Sequence, residues 1–362
     1  MKAIIHIGLP KCGSTSIQSW MNLNRVAMET RGVQMIGPEP VNLICAIIHV
    51  ALRELGVDEN SALHGLNKMK YWRQPRLVKK VEQLLGNPNE MYETLCDKLR
   101  KFSANPGFFV CSWEFLFFFL SSETRIIALD RYLSKFFDNR TYIIYIRDTV
   151  DLFLSWYSQK IKSNNKRYGT MELDLFLSNF SKKPHYFDKI FLWDRVIGEK
   201  LNVRLLEFDW LTGGNLIDDF SSLTGVGQLQ QPPKKNQSLA AEYIEFARFM
   251  NRELSEMLPE EVRKRAIRIL TKASSGKPKL SVSDSEADSI REIFGDKEEE
   301  IRKRFFPDRH FLFSPKFRGS GVKPAPLTET RREAIESELR QKMASRDWES
   351  YNRAATLTQT SP

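Results

Sequence analysis

Three groups of residues in this chain combine side-chain types and spacing that suit chemistry on an anion. The first is Gly8-Leu9-Pro10-Lys11-Cys12-Gly13-Ser14-Thr15-Ser16, between an apolar run at 2–8 and a helical pattern from about 15 to 31. A Gly-rich turn from strand to helix aims backbone N–H groups and the positive end of the helix dipole at one point, which cradles a phosphate. Gly13 omits a Cβ where the anion must come close. Lys11 adds a full charge, and Ser14, Thr15 and Ser16 add hydroxyl donors. Gly8 and Gly13 have the Walker spacing, but Ser14 stands where the Walker lysine belongs and the lysine comes earlier, at 11. That departure argues against a loop lysine reaching β- and γ-phosphates. The purely structural alternative is a well-capped turn with an exposed lysine. Cys12 invites two readings as well: a thiol activated by local positive potential, or inert packing.

The second group is Arg147, at the end of the apolar run 141–146, with Ser155 eight residues on in a helical pattern at 150–163. An arginine fork and a hydroxyl can clamp one phosphate between them. The alternative for Arg147 is a surface salt bridge with Asp148 or Asp151. The third group is Glu114, which follows the apolar run 107–112 and sits beside aromatic residues. A carboxylate at the carboxyl end of a core strand suits a general base. Its alternative is a loop or helix carboxylate that serves structure. No His occurs between 65 and 184 to take the base role.

Taken in order, these motifs resemble the PAPS-dependent sulfotransferases, which use 3′-phosphoadenosine 5′-phosphosulfate. Pro10-Lys11-Cys12-Gly13-Ser14-Thr15 resembles their 5′-phosphosulfate loop, and Arg147-Asp148 with Ser155 resembles their 3′-phosphate motif. Thr149 replaces the Pro usual in that motif, which removes a helix-starting residue but no ligand. The resemblance, to bacterial-type members, spans about residues 1–225 by motif order and extends to about 313 by continuity. It implies PAPS as co-substrate, PAP as product, and no metal. Lys11, Cys12, Gly13, Ser14, Thr15 and Ser16 would hold the 5′-phosphosulfate, and Arg147 and Ser155 the 3′-phosphate. The glycan- and tyrosine-modifying branches use a Glu where the small-molecule branch has a His, which gives Glu114 the role of base. Lys11 then stabilises the departing bridging oxygen. Asn236 and Ser238 match an Asn-x-Ser that lines the cleft in bacterial-type members; read without the family, Ser238 is a helix N-cap.

The implied reaction is in-line transfer of a sulfuryl group to a hydroxyl-bearing acceptor, a carbohydrate among the candidates. Two other readings stay open. One is a P-loop nucleotide kinase, which would need magnesium and ATP. The other is a basic protein that holds an adenine nucleotide or a polyanion without chemistry, in which Glu114 would be dispensable.

The elements that must position these residues follow from the hydrophobic pattern. Strands are expected at 2–8, 33–36, 107–112, 141–146 and 201–207, without clean polar alternation and separated by helical segments. That is the signature of a parallel sheet covered on both faces, with its ligand at the carboxyl ends of the strands. The expected fold is α/β, a three-layer α/β/α arrangement of P-loop-like sulfotransferase architecture. A helical insert is expected at about 41–105. A helical last third is expected at 239–257, 260–272, 284–294 and 297–305. The expected domain is 1–313. A linker at 314–326 and a charged, partly helical tail would follow, frayed at 354–362.

Composition agrees with an ordinary globular protein. Of 362 residues 41% are hydrophobic and 28% charged, which excludes wholesale disorder. Lys and Arg number 55 against 45 Asp and Glu, a net charge of +10 that favours a polyanionic partner. Nucleic acid is not an expected partner. The 4 cysteines form no Cys-x-x-Cys pair and the 5 histidines show no metal spacing. The run 115–120 falls far short of the ~20 apolar residues that span a bilayer. The first apolar run lacks the features of a secretory leader, so a cytoplasmic location is expected. Nothing in the sequence specifies an oligomeric state.

Overall fold

The structure is a computed structural model, and it describes residues 2–35, 56, 96–97, 99–104, 107–114, 116–117, 120–165, 167–180, 186–233 and 238–359. The expected insert at 41–105 lies mostly outside the described residues; 96–97 and 99–104 are helical.

The chain opens with β1 (Lys2–Ile7), α1 (Ser14–Leu23), α2 (Arg25–Thr30) and β2 (Val33–Met35). β3 (Phe108–Trp113), α3 (Glu123–Ser134), β4 (Asn139–Ile146), α4 (Thr149–Lys162) and α5 (Leu173–Phe180) follow. Next come α6 (Tyr186–Ile197), β5 (Leu201–Leu205) and α7 (Leu216–Thr224). The remainder is helical: α8 (Ala241–Arg252), α9 (Glu260–Ala273), α10 (Asp284–Phe305), α11 (Glu329–Lys342) and α12 (Ser345–Gln359). Two compact units divide these elements, Met1–Arg147 with His185–Pro233, and Asp148–Pro184 with Lys234–Pro362.

The first unit holds a parallel five-stranded sheet in the order β2-β3-β1-β4-β5. The fold is α/β with an all-parallel central sheet, as the sequence predicts. β1 and β4 bury five consecutive residues each because helices cover both faces. On one face His6 meets both Tyr145 and Phe220 of α7, and Phe220 meets Trp20 of α1. On the other, Tyr142 meets Trp193 of α6, and Phe109 stacks on Phe137 just beyond α3. Buried charge on this sheet is paired. Asp219 accepts from Tyr145 Oη at 2.7 Å, from Thr212 N at 3.0 Å and from Arg204. Asp130 accepts from Arg140 at 2.8 Å, Lys200 at 2.7 Å and Tyr142 at 3.0 Å.

The second unit is helical. Its start, α4, is capped by Asp148, whose carboxylate accepts from Asp151 N at 2.9 Å and does the work of the missing Pro. Arg318 bridges Asp148 and Asp151 at 3.2 and 2.8 Å, which ties residue 318 of the expected linker to this helix start.

Four expectations need correction. The helix expected at 15–31 breaks at Asn24. Its side chain pairs with Trp20 O at 2.9 Å and with both main-chain groups of Gln230, at 2.8 and 3.1 Å. The two helices expected at 284–294 and 297–305 are one, α10. Ala287, Ile290, Phe294 and Ile301 keep one buried face through Gly295, and a Ser283–Glu286 capping box starts it. Residues 354–359 are helical, not frayed. α12 buries Tyr351, Ala354 and Ala355, and Tyr351 Oη donates to Glu336 at 2.9 Å. Ser238 is not a helix N-cap: α8 begins at Ala241 with Ala240 as its cap, and Ala240 bridges Lys279.

Candidate functional site

The parallel register builds the site in the first unit. Ile7 pairs with Trp113 and His6 with both Ser112 and Ile143, so β3, β1 and β4 deliver Glu114, the 8–13 loop and Arg147 to one edge of the sheet. Gly8 N donates to Trp113 O at 3.1 Å, carrying the ladder one residue beyond β1. A Cβ on Gly8 would come within 2.7 Å of Glu114 Cα and 2.9 Å of its N, besides striking Ser14 Oγ. Only glycine therefore lets the loop pass against the backbone that presents Glu114.

The loop then turns sharply. Cys12 N donates to Leu9 O at 3.3 Å, and Lys11 takes a left-handed conformation with φ 65°. Such a value is uncommon outside glycine. Gly13 follows at φ 90°, where a Cβ would collide with the side chain of Leu216. Gly13 is the N-cap of α1, with no side-chain cap for the helix among the described residues. Ser16 N and Ile17 N both reach Gly13 O, at 2.9 and 3.1 Å. Two left-handed residues, one on either side of Cys12, thus lead into an uncapped helix start, whose free N–H groups suit an anion.

The hydroxyls of this loop divide by position. Ser14 is buried and its Oγ donates to Leu9 O at 3.3 Å, so this hydroxyl braces the loop. Thr15 is exposed and Ser16 half-buried. The Cys12 thiol is buried, and burial pushes it up to about 12 against the opposing pull of Arg147. Packing prevails over activation at that position.

Arg147 closes the cluster. Its guanidinium donates to Lys11 O at 3.4 Å. Glu114 is half-buried; burial raises its pKa above the ordinary glutamate value, and the Lys11 charge works against that rise. Lys11, Cys12, Gly13, Ser14, Thr15, Ser16, Glu114 and Arg147 thus share one strand edge. Ser155 and Ser238, both half-buried, belong to the second unit, Ser155 on α4 and Ser238 ahead of α8. Asn236 lies outside the described residues.

Two supporting residues escaped the sequence reading. His6 Nδ1 lies 2.8 Å from Ser112 Oγ, two residues before Gly8 and two before Glu114. Burial drops its pKa to about 3, so a neutral imidazole ties β1 to β3 directly behind the site. Its position inside an apolar strand was the only signal. Lys189, in the aromatic run read as architecture, donates to Phe117 O at 3.4 Å, with its ammonium 5.0 Å from the Phe117 ring centroid. It thereby holds the segment just after Glu114, and burial lowers its pKa. A single lysine among core aromatics was its signal.

Among the described residues, no three His, Cys, Asp or Glu side chains gather as metal ligands. No helix among them is long and apolar enough to cross a membrane. No protein-family model matches this chain, and no curated protein matches it.

Proposed function

We propose that this chain is a PAPS-dependent sulfotransferase acting on a hydroxyl. One observation carries the reading: the convergence of Lys11, Glu114 and Arg147 around an uncapped helix start at the carboxyl edge of a parallel sheet. The loop fits a 5′-phosphosulfate, since the left-handed residues Lys11 and Gly13 leave a cradle that a Cβ at 13 would close. Ser14, where a Walker lysine would stand, is turned to Leu9 O, which supports a loop other than that of a magnesium-dependent kinase.

PAPS would supply an activated sulfuryl group, whose transfer breaks the bond between sulfur and the bridging phosphate oxygen. The chain's own part is positioning and electrostatics. The α1 N-terminus and Lys11 fix the phosphosulfate and offset charge growing on the departing oxygen. Arg147 offers a planar fork to the 3′-phosphate, which distinguishes PAPS from ordinary adenine nucleotides. Glu114 takes the acceptor's hydroxyl proton as the oxygen attacks sulfur. Its burial-raised pKa makes it a stronger base than a solvated glutamate.

Calorimetric titration with 3′,5′-ADP, 5′-AMP and ATP, with and without magnesium, tests the reading. Metal-independent binding of 3′,5′-ADP, much tighter than that of 5′-AMP, is expected. Preference for magnesium-ATP would return the kinase reading. Tight 3′,5′-ADP binding with no transfer to any hydroxyl acceptor would leave a nucleotide-holding protein.

A further inference from the structure

β1 is apolar from Ala3 to Ile7 except at His6, whose side chain is fully buried. Its Nδ1 meets Ser112 Oγ at 2.8 Å, while its Nε2 is buried with no hydrogen-bond partner among the described residues. The Tyr145 and Phe220 rings stand edge-on to the imidazole, each centroid 5.7 Å away, and the Tyr145 hydroxyl is committed to Asp219. A buried ring nitrogen without a partner costs stability, and an apolar residue in its place would not. The ring is neutral above about pH 3, because burial drops its pKa to about 3, so no ion pair offsets the cost. Stability therefore gives no reason for a polar residue here, and the bond to Ser112 is what remains.

That bond lies at a corner where small displacements matter. His6 is two residues before Gly8, and Ser112 two before Glu114. The β1–β3 ladder ends with Gly8 N donating to Trp113 O at 3.1 Å, one residue short of Glu114. Clearance beyond it is small, since a Cβ on Gly8 would come within 2.7 Å of Glu114 Cα. Ser112 is also held from a third element. Gln18 Nε2, in the second turn of α1, donates to Ser112 O at 3.3 Å. β1 precedes the anion loop and α1 follows it. Ser112 is thus tied to both ends of that loop, by its hydroxyl and by its carbonyl, on the strand that presents Glu114. Buried polar bonds of this kind fix orientation more than they add stability.

We infer that His6, Ser112 and Gln18 are positioning residues that hold Glu114 at a set place against the anion loop. What the positioning serves rests on the base role proposed for Glu114; the positioning itself does not. Burial raises the Glu114 pKa, so the titration of this carboxyl reports how tightly the corner is closed. Removing the neutral His6 ring takes away no charge. A shift at Glu114 in its absence would therefore report a change of place.

The test is titration of the Glu114 carboxyl by carbon NMR of its labelled side chain, alongside unfolding in denaturant. It uses the full chain with neither nucleotide nor acceptor present. His6→Leu/Ser112→Ala removes both polar partners at once and should be at least as stable as the parent. Its Glu114 carboxyl should nevertheless titrate lower, toward the ordinary glutamate range, as the loosened corner admits water. His6→Asn keeps a polar atom at the Nδ1 position. It should lose stability to the smaller side chain and keep the parent titration. Gln18 is half-buried, so Gln18→Met should fold as the parent does and move the titration down as well. An unchanged or higher titration in the double variant would overturn the inference. So would a shift in His6→Asn as large as that in the double variant. Should the double variant not fold, an unchanged or higher titration in Gln18→Met overturns the inference instead. Absence of 3′,5′-ADP binding would reject the sulfotransferase reading and leave these titrations standing, so the two failures are distinguishable.

Discussion

At the scale of single residues the site rests on opposed influences at Glu114. Burial raises its pKa and Lys11 lowers it. Glu114→Gln should cut turnover by roughly 10²–10⁴-fold while leaving 3′,5′-ADP affinity nearly unchanged. An equal loss of both would reject Glu114 as the base. Lys11→Met removes the opposing charge, so the Glu114 carboxyl should titrate at higher pH in that variant, as read by carbon NMR of the labelled side chain. A downward move would mean that Lys11 does not act on Glu114. Lys11, Glu114 and Arg147 were legible because each follows an apolar run and so falls past the carboxyl end of a strand. His6 and Lys189 were not legible. A polar residue inside an apolar run reads as tolerated core until its partner is known.

At the scale of elements the decisive feature is the turn from β1 into α1. Gly13 sits at φ 90°, and a Cβ there meets Leu216. Gly13→Ala should therefore destabilise the protein by about 1–3 kcal/mol in denaturant unfolding. In a double-mutant cycle with Leu216→Ala, the combined cost should fall short of the sum, because shortening Leu216 removes the collision but not the unfavourable φ. Strict additivity would show that conformation alone restricts the position. Helix breaks follow a different logic. Asn24 interrupts α1 because its side chain serves Gln230, some 200 residues away, and local propensity carries no trace of that bond. Gly295 fails to interrupt α10 because the buried face on either side stays in phase.

At the scale of the whole molecule, stability should carry a pH signature from Glu298. This carboxyl accepts from Thr149 Oγ1 at the start of α4, faces Asp148 and Arg291, and is pushed up to about 7, chiefly by burial. A raised folded-state pKa means that the protonated form is favoured on folding. The contribution is complete below the ordinary glutamate range and is lost as pH rises from about 4.5 to about 7. The loss is at most about 3.5 kcal/mol, from roughly 1.4 kcal/mol per pH unit. Glu298→Gln should flatten this part of the stability profile and leave the variant more stable than the parent at pH 8. Parallel profiles in denaturant unfolding would exclude Glu298 as the source.

The sequence by itself determined the sheet, its parallel sense, and the strand ends at which Lys11, Glu114 and Arg147 fall. Buried strands announce themselves by continuous apolar runs, and ligand loops by the glycines and charges that follow them. It also carried the sense of the charge, +10 in all. Only the tertiary structure decided which hydroxyls face outward, as with Ser14 turned to Leu9 O and Thr15 exposed. It alone decided that Cys12 is packed rather than activated, and that the charged tail forms helices anchored by Tyr351, Ala354 and Ala355. The physical reason is common to these cases. Orientation and burial depend on partners distant in sequence, so neither composition nor local spacing encodes them.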